Sequence, residues 1–165
     1  MALMRAMVLH AVGPVGGNPL REETRERPTP EGRQVLVRVD HCGVCRTDLH
    51  IVEGDLPPVL PSVTPGHEIV GRVAGVGPAV KRFHAGDPVG IPWLHRTCGH
   101  CEYCTTGREN LCAEKQFTGY TVDGGYAEYA VGEEEYVLPL PDRDAVGLAP
   151  FLCAGIIGYL SLIHI

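Results

Sequence analysis

Cys98-Gly99-His100-Cys101-Glu102-Tyr103-Cys104-Thr105-Thr106-Gly107-Arg108-Glu109-Asn110-Leu111-Cys112 sets four thiols in a C-x2-C-x2-C-x7-C spacing. Four soft donors this close suit a closed tetrahedral zinc site built from one loop. Glycines and polar residues fill the gaps, so the loop is expected to wrap without a helix or strand of its own. An iron–sulfur cluster and a pair of disulfides compete with this reading. The bacterial ferredoxin run also begins with two CxxC steps, but its fourth Cys comes three residues later and is followed by Pro. Here the last gap is seven residues and Ala113 follows. Disulfides fit poorly with an odd total of seven Cys and with a start, Met1 to Met7, whose apolar run is too short for a secretory signal.

Outward from that loop, short apolar runs are separated by turn residues. Arg5 to His10 reads as a first strand, and Pro14 to Pro30 as a polar connection. Gln34 to Asp40 alternates Val35, Val37 and Val39 with Leu36, Arg38 and Asp40, the pattern of a strand with one buried face. Ile69 to Val76, Asp87 to Ile91, Gly125 to Val131 and Glu135 to Leu138 are further predicted strands, and the proline-rich Asp55 to Pro65 a loop. With 21 Gly, 14 Pro and few aromatics, the composition suits a turn-rich β domain better than a helical bundle. The 165 residues suffice for one domain with a real core. A net charge of -6 argues against nucleic acid and anionic membranes as partners. A cytoplasmic protein is the expectation.

Val146 to Ile165 carries no Asp, Glu, Lys or Arg after Val146 and is long enough for a membrane span. Pro150, Gly155 and Gly158 interrupt it, and basic flanks are missing, so a buried helix starting near Pro150 is the better reading. The run stops at Ile165 inside the apolar stretch, which reads as truncation; whether Leu160-Ser161-Leu162-Ile163-His164-Ile165 is native stays open.

A second set of donors lies outside the loop. Cys42-Gly43-Val44-Cys45 taken alone is ambiguous between a redox pair, half a metal site, and one ligand beside a bystander. His67-Glu68 alone is equally open, since a lone His is more often an ordinary polar residue. Together, thiols, an imidazole and carboxylates near strand ends are the ingredients of a zinc site with an open position.

At this point a resemblance becomes specific. Gly66-His67-Glu68-x2-Gly71-x5-Gly77-x2-Val80 and Cys45-Arg46-Thr47-Asp48-Leu49-His50 resemble the metal-site segments of zinc-dependent alcohol dehydrogenases of the medium-chain superfamily. So do the four-cysteine loop preceded by Gly90-Ile91-Pro92-Trp93-Leu94, the segments Phe117-Thr118-Gly119-Tyr120 and Gly124-Gly125-Tyr126-Ala127-Glu128-Tyr129, and Leu152-Cys153-Ala154-Gly155. The similarity runs from about Ala6 to Tyr159 in the family's order. The resemblance implies a mainly β, GroES-like, partly open barrel over residues 1–150 with a zinc lobe at 95–113. Residues 151–165 would begin the linking helix to a Rossmann domain that is missing.

The resemblance also implies roles. Cys45, His67 and Cys153 would hold a catalytic zinc, the Cys2His pattern known for alcohol dehydrogenases. Cys98, Cys101, Cys104 and Cys112 would hold a structural one and, in the family, lie near subunit contacts. Cys42 would be a buried neighbour. Asp48 would accept a hydrogen bond from His67, and Glu68 would tune the ion or bind it transiently. Thr47 and His50 would carry the alcohol proton outward through a cofactor ribose, Arg46 would face the cofactor pyrophosphate, and Trp93 would line the substrate pocket. Without the resemblance Thr47 is a turn residue and His50 a solvent-facing one. The implied activity interconverts alcohols with aldehydes or ketones, using two zinc ions and NAD or NADP, in a full-length homo-oligomer. No G-x-G-x-x-G follows a strand here, so the chain alone is expected to bind zinc, to turn over little substrate and to be poorly soluble. The competing reading is a non-catalytic zinc-binding β domain.

Overall fold

In the computed structural model, residues 2–142 and 146–163 are described; the last two positions of the 160–165 tail lie outside them. Val35, Leu36 and Val37 sit in β3 (Gln34–Gly43), the longest strand. It pairs antiparallel with β4 (Glu68–Val76) on one side and β8 (Tyr129–Glu133) on the other. β5 (Pro88–Ile91) and β9 (Leu138–Pro139) complete a five-stranded sheet of order β8-β3-β4-β5-β9. The expected one-sided burial of β3 holds only in part. Leu36 is buried too, because its face borders the Pro28–Pro30 segment.

The connection read between Pro14 and Pro30 contains a strand. β2 (Leu20–Glu26) pairs with β1 (Leu3–Leu9) along its whole length, from Leu3↔Glu26 to Leu9↔Leu20. Its sequence, LREETRE, is charged because no residue in it is buried. Bridges Ala6↔Ala127 and Leu9↔Val63 stitch this hairpin to the main sheet, giving a partly open barrel. β8 begins at Tyr129, later than expected, because Gly124 to Tyr126 is spent on Thr64 to Gly66: the three amides donate to Thr64, Gly66 and Pro65 carbonyls. The expected strand from Glu135 is a turn, and only Leu138 of it enters β9.

The main core gathers Val35, Val37, Ile69, Val73, Phe83, Val89, Ile91, Ala130 and Val137 inside the barrel. A second cluster, Leu9, Ile51, Val52 and Val63, packs α1 (Arg46–Glu53) against the hairpin and reaches Trp93 and Tyr120. At the C-terminal end the helix near Pro150 takes two forms. Val146–Leu152 is a 3-10 turn containing Pro150, whose Ala149 and Leu152 pack on Val70 of β4. The α-helix starts only at Ala154 (α3, Ala154–Ile163), since a proline cannot donate into an α-helical ladder. Against expectation, none of its residues is buried. Among the described residues no single helix is long and apolar enough to cross a membrane; the 3-10 turn and α3, bent by 56°, pass that test only as a pair, by length and composition.

Candidate metal centres

The cysteine loop hangs from a small two-stranded sheet, β6 (Leu94–Arg96) with β7 (Gln116–Phe117). It does contain a helix of its own: α2 (Glu102–Thr105) puts Cys101 at its N-cap and Cys104 three residues on, so both sulfurs face one side. A further 3-10 turn spans Glu109–Leu111. All four sulfur atoms lie within 4.8 Å of one another. Cys98 to Cys104 is 3.8 Å and Cys101 to Cys104 is 3.5 Å. Zinc–sulfur bonds of about 2.3 Å in a tetrahedron place sulfurs about 3.8 Å apart, so the loop fits such an ion without rearrangement. The thiol of Cys104 is held down at about 7 by the Thr97 hydroxyl and by amide and thiol neighbours, which favours the ligating thiolate.

The second centre is assembled from three parts of the fold. Cys45 is the N-cap of α1, and its sulfur accepts from the amide of Thr47 at 3.3 Å. Asp48, at the third helical position, reaches back to the Cys45 amide at 2.9 Å, closing a capping box with a thiol in the place of a hydroxyl. His67 stands just before β4, fully buried. Its Nδ1 lies 3.1 Å from Asp48 Oδ1, which also accepts from the Gly66 amide at 3.1 Å. Cys153 stands between the 3-10 turn and α3, with its sulfur 3.8 Å from that of Cys45. Glu68 completes the group; single donor atoms of Cys45, His67, Glu68 and Cys153 lie within 4.8 Å of one another.

Electrostatics tell the same story. Burial pushes the Cys45 thiol up, but the Thr47 amide and His67 outweigh it and hold the thiol below its usual value. Burial and the neighbouring Cys45 push Cys153 up to about 12. One thiol of the pair is held down and the other pushed up, as expected of two adjacent thiols that titrate as a pair. Burial lowers the basicity of His67, yet hydrogen bonding to Asp48 raises it further, and burial raises the carboxyl of Glu68. With Nδ1 donating to Asp48, the free lone pair of His67 is on Nε2, and that atom is buried without any hydrogen-bond partner. A buried acceptor left unpaired is costly, and a metal ion satisfies it.

The remaining candidates flank this group. Trp93 sets its ring edge on His67, with centroids 5.0 Å apart, and stacks on Phe117 at 4.6 Å and Tyr120 at 6.1 Å. Arg46 is exposed at the start of α1, Thr47 is half-buried, and His50 is half-buried one turn later with Nδ1 2.7 Å from Asp55 Oδ2. Cys42 stays outside the donor group; it packs against the main core, and burial pushes its thiol up to about 12. Sequence reasoning overlooked Asp55, the thiol-based capping box and the glycine contacts around Gly66. The capping box had a signal, an acid three residues after Cys45; the other two depend on tertiary approach.

Comparison with known proteins gives the family. Residues 31–142 match the family described as the alcohol dehydrogenase GroES-like domain. The chain is 48% identical to a probable alcohol dehydrogenase of Mycobacterium tuberculosis over 99% of its own length and 49% of the relative's. It is 53% identical to an alcohol dehydrogenase of Geobacillus stearothermophilus over 83% of its length and 41% of the relative's. Among solved structures it is similar to a cinnamyl alcohol dehydrogenase of Sorghum bicolor, with a TM-score of 0.85 and 31% identity over 99% of this chain and 48% of that one. It is also similar to a thermostable alcohol dehydrogenase of Pyrobaculum aerophilum with bound cobalt and zinc, with a TM-score of 0.80 and 32% identity over 90% and 45%. The chain spans about half the length of the curated relatives it matches. A matched family profile, high identity and a shared fold lead to one conclusion: the chain belongs to the zinc-type alcohol dehydrogenases of the medium-chain superfamily and carries their GroES-like domain.

Proposed function

We propose that this chain is the metal-bearing half of an oxidoreductase that interconverts alcohols with aldehydes or ketones, with NAD or NADP as hydride carrier. The observation that carries this reading is the meeting of Cys45, His67 and Cys153, remote in sequence, around the unpaired Nε2 of His67. Two thiolates and an imidazole are a donor set that selects zinc, and three protein ligands leave a corner open for substrate. When bound, that ion supplies the Lewis acidity that lets an alcohol release its proton near neutral pH. The residues do the rest. Asp48 locks the His67 ring with Nε2 facing the donor group. Glu68 brings a carboxylate to the same point and tunes the charge there. Thr47 and His50, one turn apart on α1, form a path by which a proton leaves the site. Arg46 offers its exposed guanidinium to a dinucleotide phosphate, and Trp93 walls the side of the site where an alcohol carbon chain would lie.

In this reading residues 1–150 are the catalytic domain, the closed four-cysteine site orders the 95–113 lobe for subunit contacts, and residues 151–165 lead toward a dinucleotide-binding domain. Small alcohols and aldehydes are the substrates, in a cytoplasmic homo-oligomer that contacts neither nucleic acid nor membrane. A non-catalytic zinc module needs only the four-cysteine site. Metal analysis of the purified chain separates the two: two zinc ions per chain are expected, falling to one in both H67A and C45A. A single ion unaffected by H67A refutes the catalytic reading and leaves the module.

A further inference from the structure

We infer that Asp55 is a positioning residue that orients His50 for proton release, an inference that rests on the proposed relay from Thr47 to His50. His50 is the residue whose carbonyl closes α1: the amides of Gly54 and Leu56 both donate to it, at 3.1 Å each. Gly54 takes the left-handed conformation at this C-cap, with φ 86°, and the chain turns back on itself. That reversal carries the next side chain, Asp55, onto the His50 ring, with Oδ2 2.7 Å from Nδ1. The helix end, the glycine cap and the carboxylate therefore form one device built around one imidazole.

The chemistry follows from which nitrogen is engaged. A carboxylate can only accept, so Nδ1 carries the hydrogen and the neutral ring keeps its lone pair on Nε2. A proton leaving the site then has one place to go. As a hydroxyl O–H bond breaks, an Nε2–H bond forms, giving an imidazolium whose Nδ1–H still donates to Asp55; the same proton passes from Nε2 to water or buffer, and the ring returns to its starting tautomer. Without Asp55 the ring rotates freely and divides between two tautomers, one of which has no acceptor at Nε2. Other charged groups nearby are differently engaged. Glu53 of α1 accepts from the Val15 amide, His10 pairs with Glu23, and Arg46 lies one turn earlier on the helix. From Leu56 to Pro65 the loop has no titratable side chain, so Asp55 is its only carboxylate.

The test pairs spectroscopy on the 165-residue zinc-loaded chain with kinetics of the complete protein. In 15N-labelled chain, His50 is expected as the Nδ1–H tautomer, becoming a mixture in D55A and staying Nδ1–H in D55N, whose amide oxygen still accepts. In kinetics, D55A is expected to lower kcat about 3- to 10-fold with KM unchanged, a modest share of what a full acid–base group supplies. D55N and added imidazole should each restore most of it. In the double variant H50A/D55A, kcat should equal that of H50A, since a residue acting only through another has no separate effect. Additive losses, or a tautomer untouched by D55A, overturn the role of Asp55 while leaving the relay standing. An H50A variant with full kcat overturns the relay, and the Asp55 assignment with it.

Discussion

A methyl group on residue 124 would sit 2.1 Å from the carbonyl oxygen of Gly66 and 2.8 Å from that of Pro65. Backbone fills the space a side chain would need, so Gly124 is a condition for bringing the 124–126 segment against the 64–66 segment. Gly66 itself holds φ 97°, and its own missing Cβ makes room for the Tyr126 ring at 2.6 Å and the Cys42 sulfur at 2.9 Å. The next residue is His67, whose ring direction depends on that peptide through Asp48. Gly124→Ala is therefore expected to destabilise the fold by about 1–3 kcal/mol, the usual cost of overpacking. Its more telling effect should be on metal: the His67 site weakens while the four-cysteine site stays full, so zinc content drifts from two toward one per chain as a competing chelator is titrated. Loss of both ions in parallel would point to global unfolding instead. At this scale the cysteine loop was readable, because a closed site from one short segment is a matter of spacing alone. Cys45 and His67 were legible as ingredients of an open site, but choosing Cys45 over Cys42 and adding Cys153 came only through family resemblance, since no local rule links Cys45 to a residue 108 positions away.

At the scale of elements, the turn between β8 and β9 shows how a misread segment works. Glu134 is fully buried there, and one carboxylate oxygen accepts from the backbone amides of Lys81 and Arg82 while the other meets the Arg33 guanidinium at 2.9 Å. This carboxylate pins the 77–87 connection that feeds β5. The apolar run Tyr136-Val137-Leu138 beside it mimics a strand, which is why the reading from Glu135 onward went astray; the decisive contact is with a connection over fifty residues away. Burial raises the Glu134 pKa, but the two amides and the Arg33 and Arg82 charges outweigh it and hold the group below its ordinary value. In the unfolded chain it returns to roughly 4.3, so there the proton binds more readily. The stabilisation is thus complete above that ordinary value and disappears as pH falls through the lower folded one. Glu134→Gln is expected to cost about 1–3 kcal/mol at pH 7, the range for disturbing a buried hydrogen-bonded group. The gap between wild type and variant in urea midpoint should narrow as pH falls below the ordinary carboxylate value of roughly 4.3; a gap that stays constant through the acid range would contradict the assignment. β2 was missed for the opposite reason: its charges hide a strand that needs only backbone pairing with β1, and charged side chains suit such an exposed hairpin strand.

For the molecule as a whole, apolar alternation and turn residues point to a domain of many short strands, but they leave open both the sheet order β8-β3-β4-β5-β9 and the fate of the C-terminal run. Composition alone called for a buried helix, yet burial needs a surface to receive it. The 3-10 turn finds one on β4 through Leu152, whose methyl groups lie in the space left open at Gly90. α3 finds none: Ile157 and Tyr159 are each 62% exposed and Leu162 is 72% exposed, beside Phe151 at 65%. Monomeric proteins seldom present so continuous an apolar surface to water, and the hydrophobic term favours covering it by any means available. The relatives are about twice as long as this chain, and a second copy is the cover at hand for the helix in a solution of this chain alone. We therefore expect concentration-dependent self-association at micromolar protein in sedimentation velocity. Replacing Tyr159 and Leu162 together by Lys should shift the chain to a monomer, because the new charges resist desolvation and suit the negative end of a helix. Neither residue touches the metal donors, so zinc content should stay at that of the parent chain. A parent chain that sediments as one monomeric species at every concentration would mean that α3 covers its apolar residues by folding back on the barrel, a packing different from the one described.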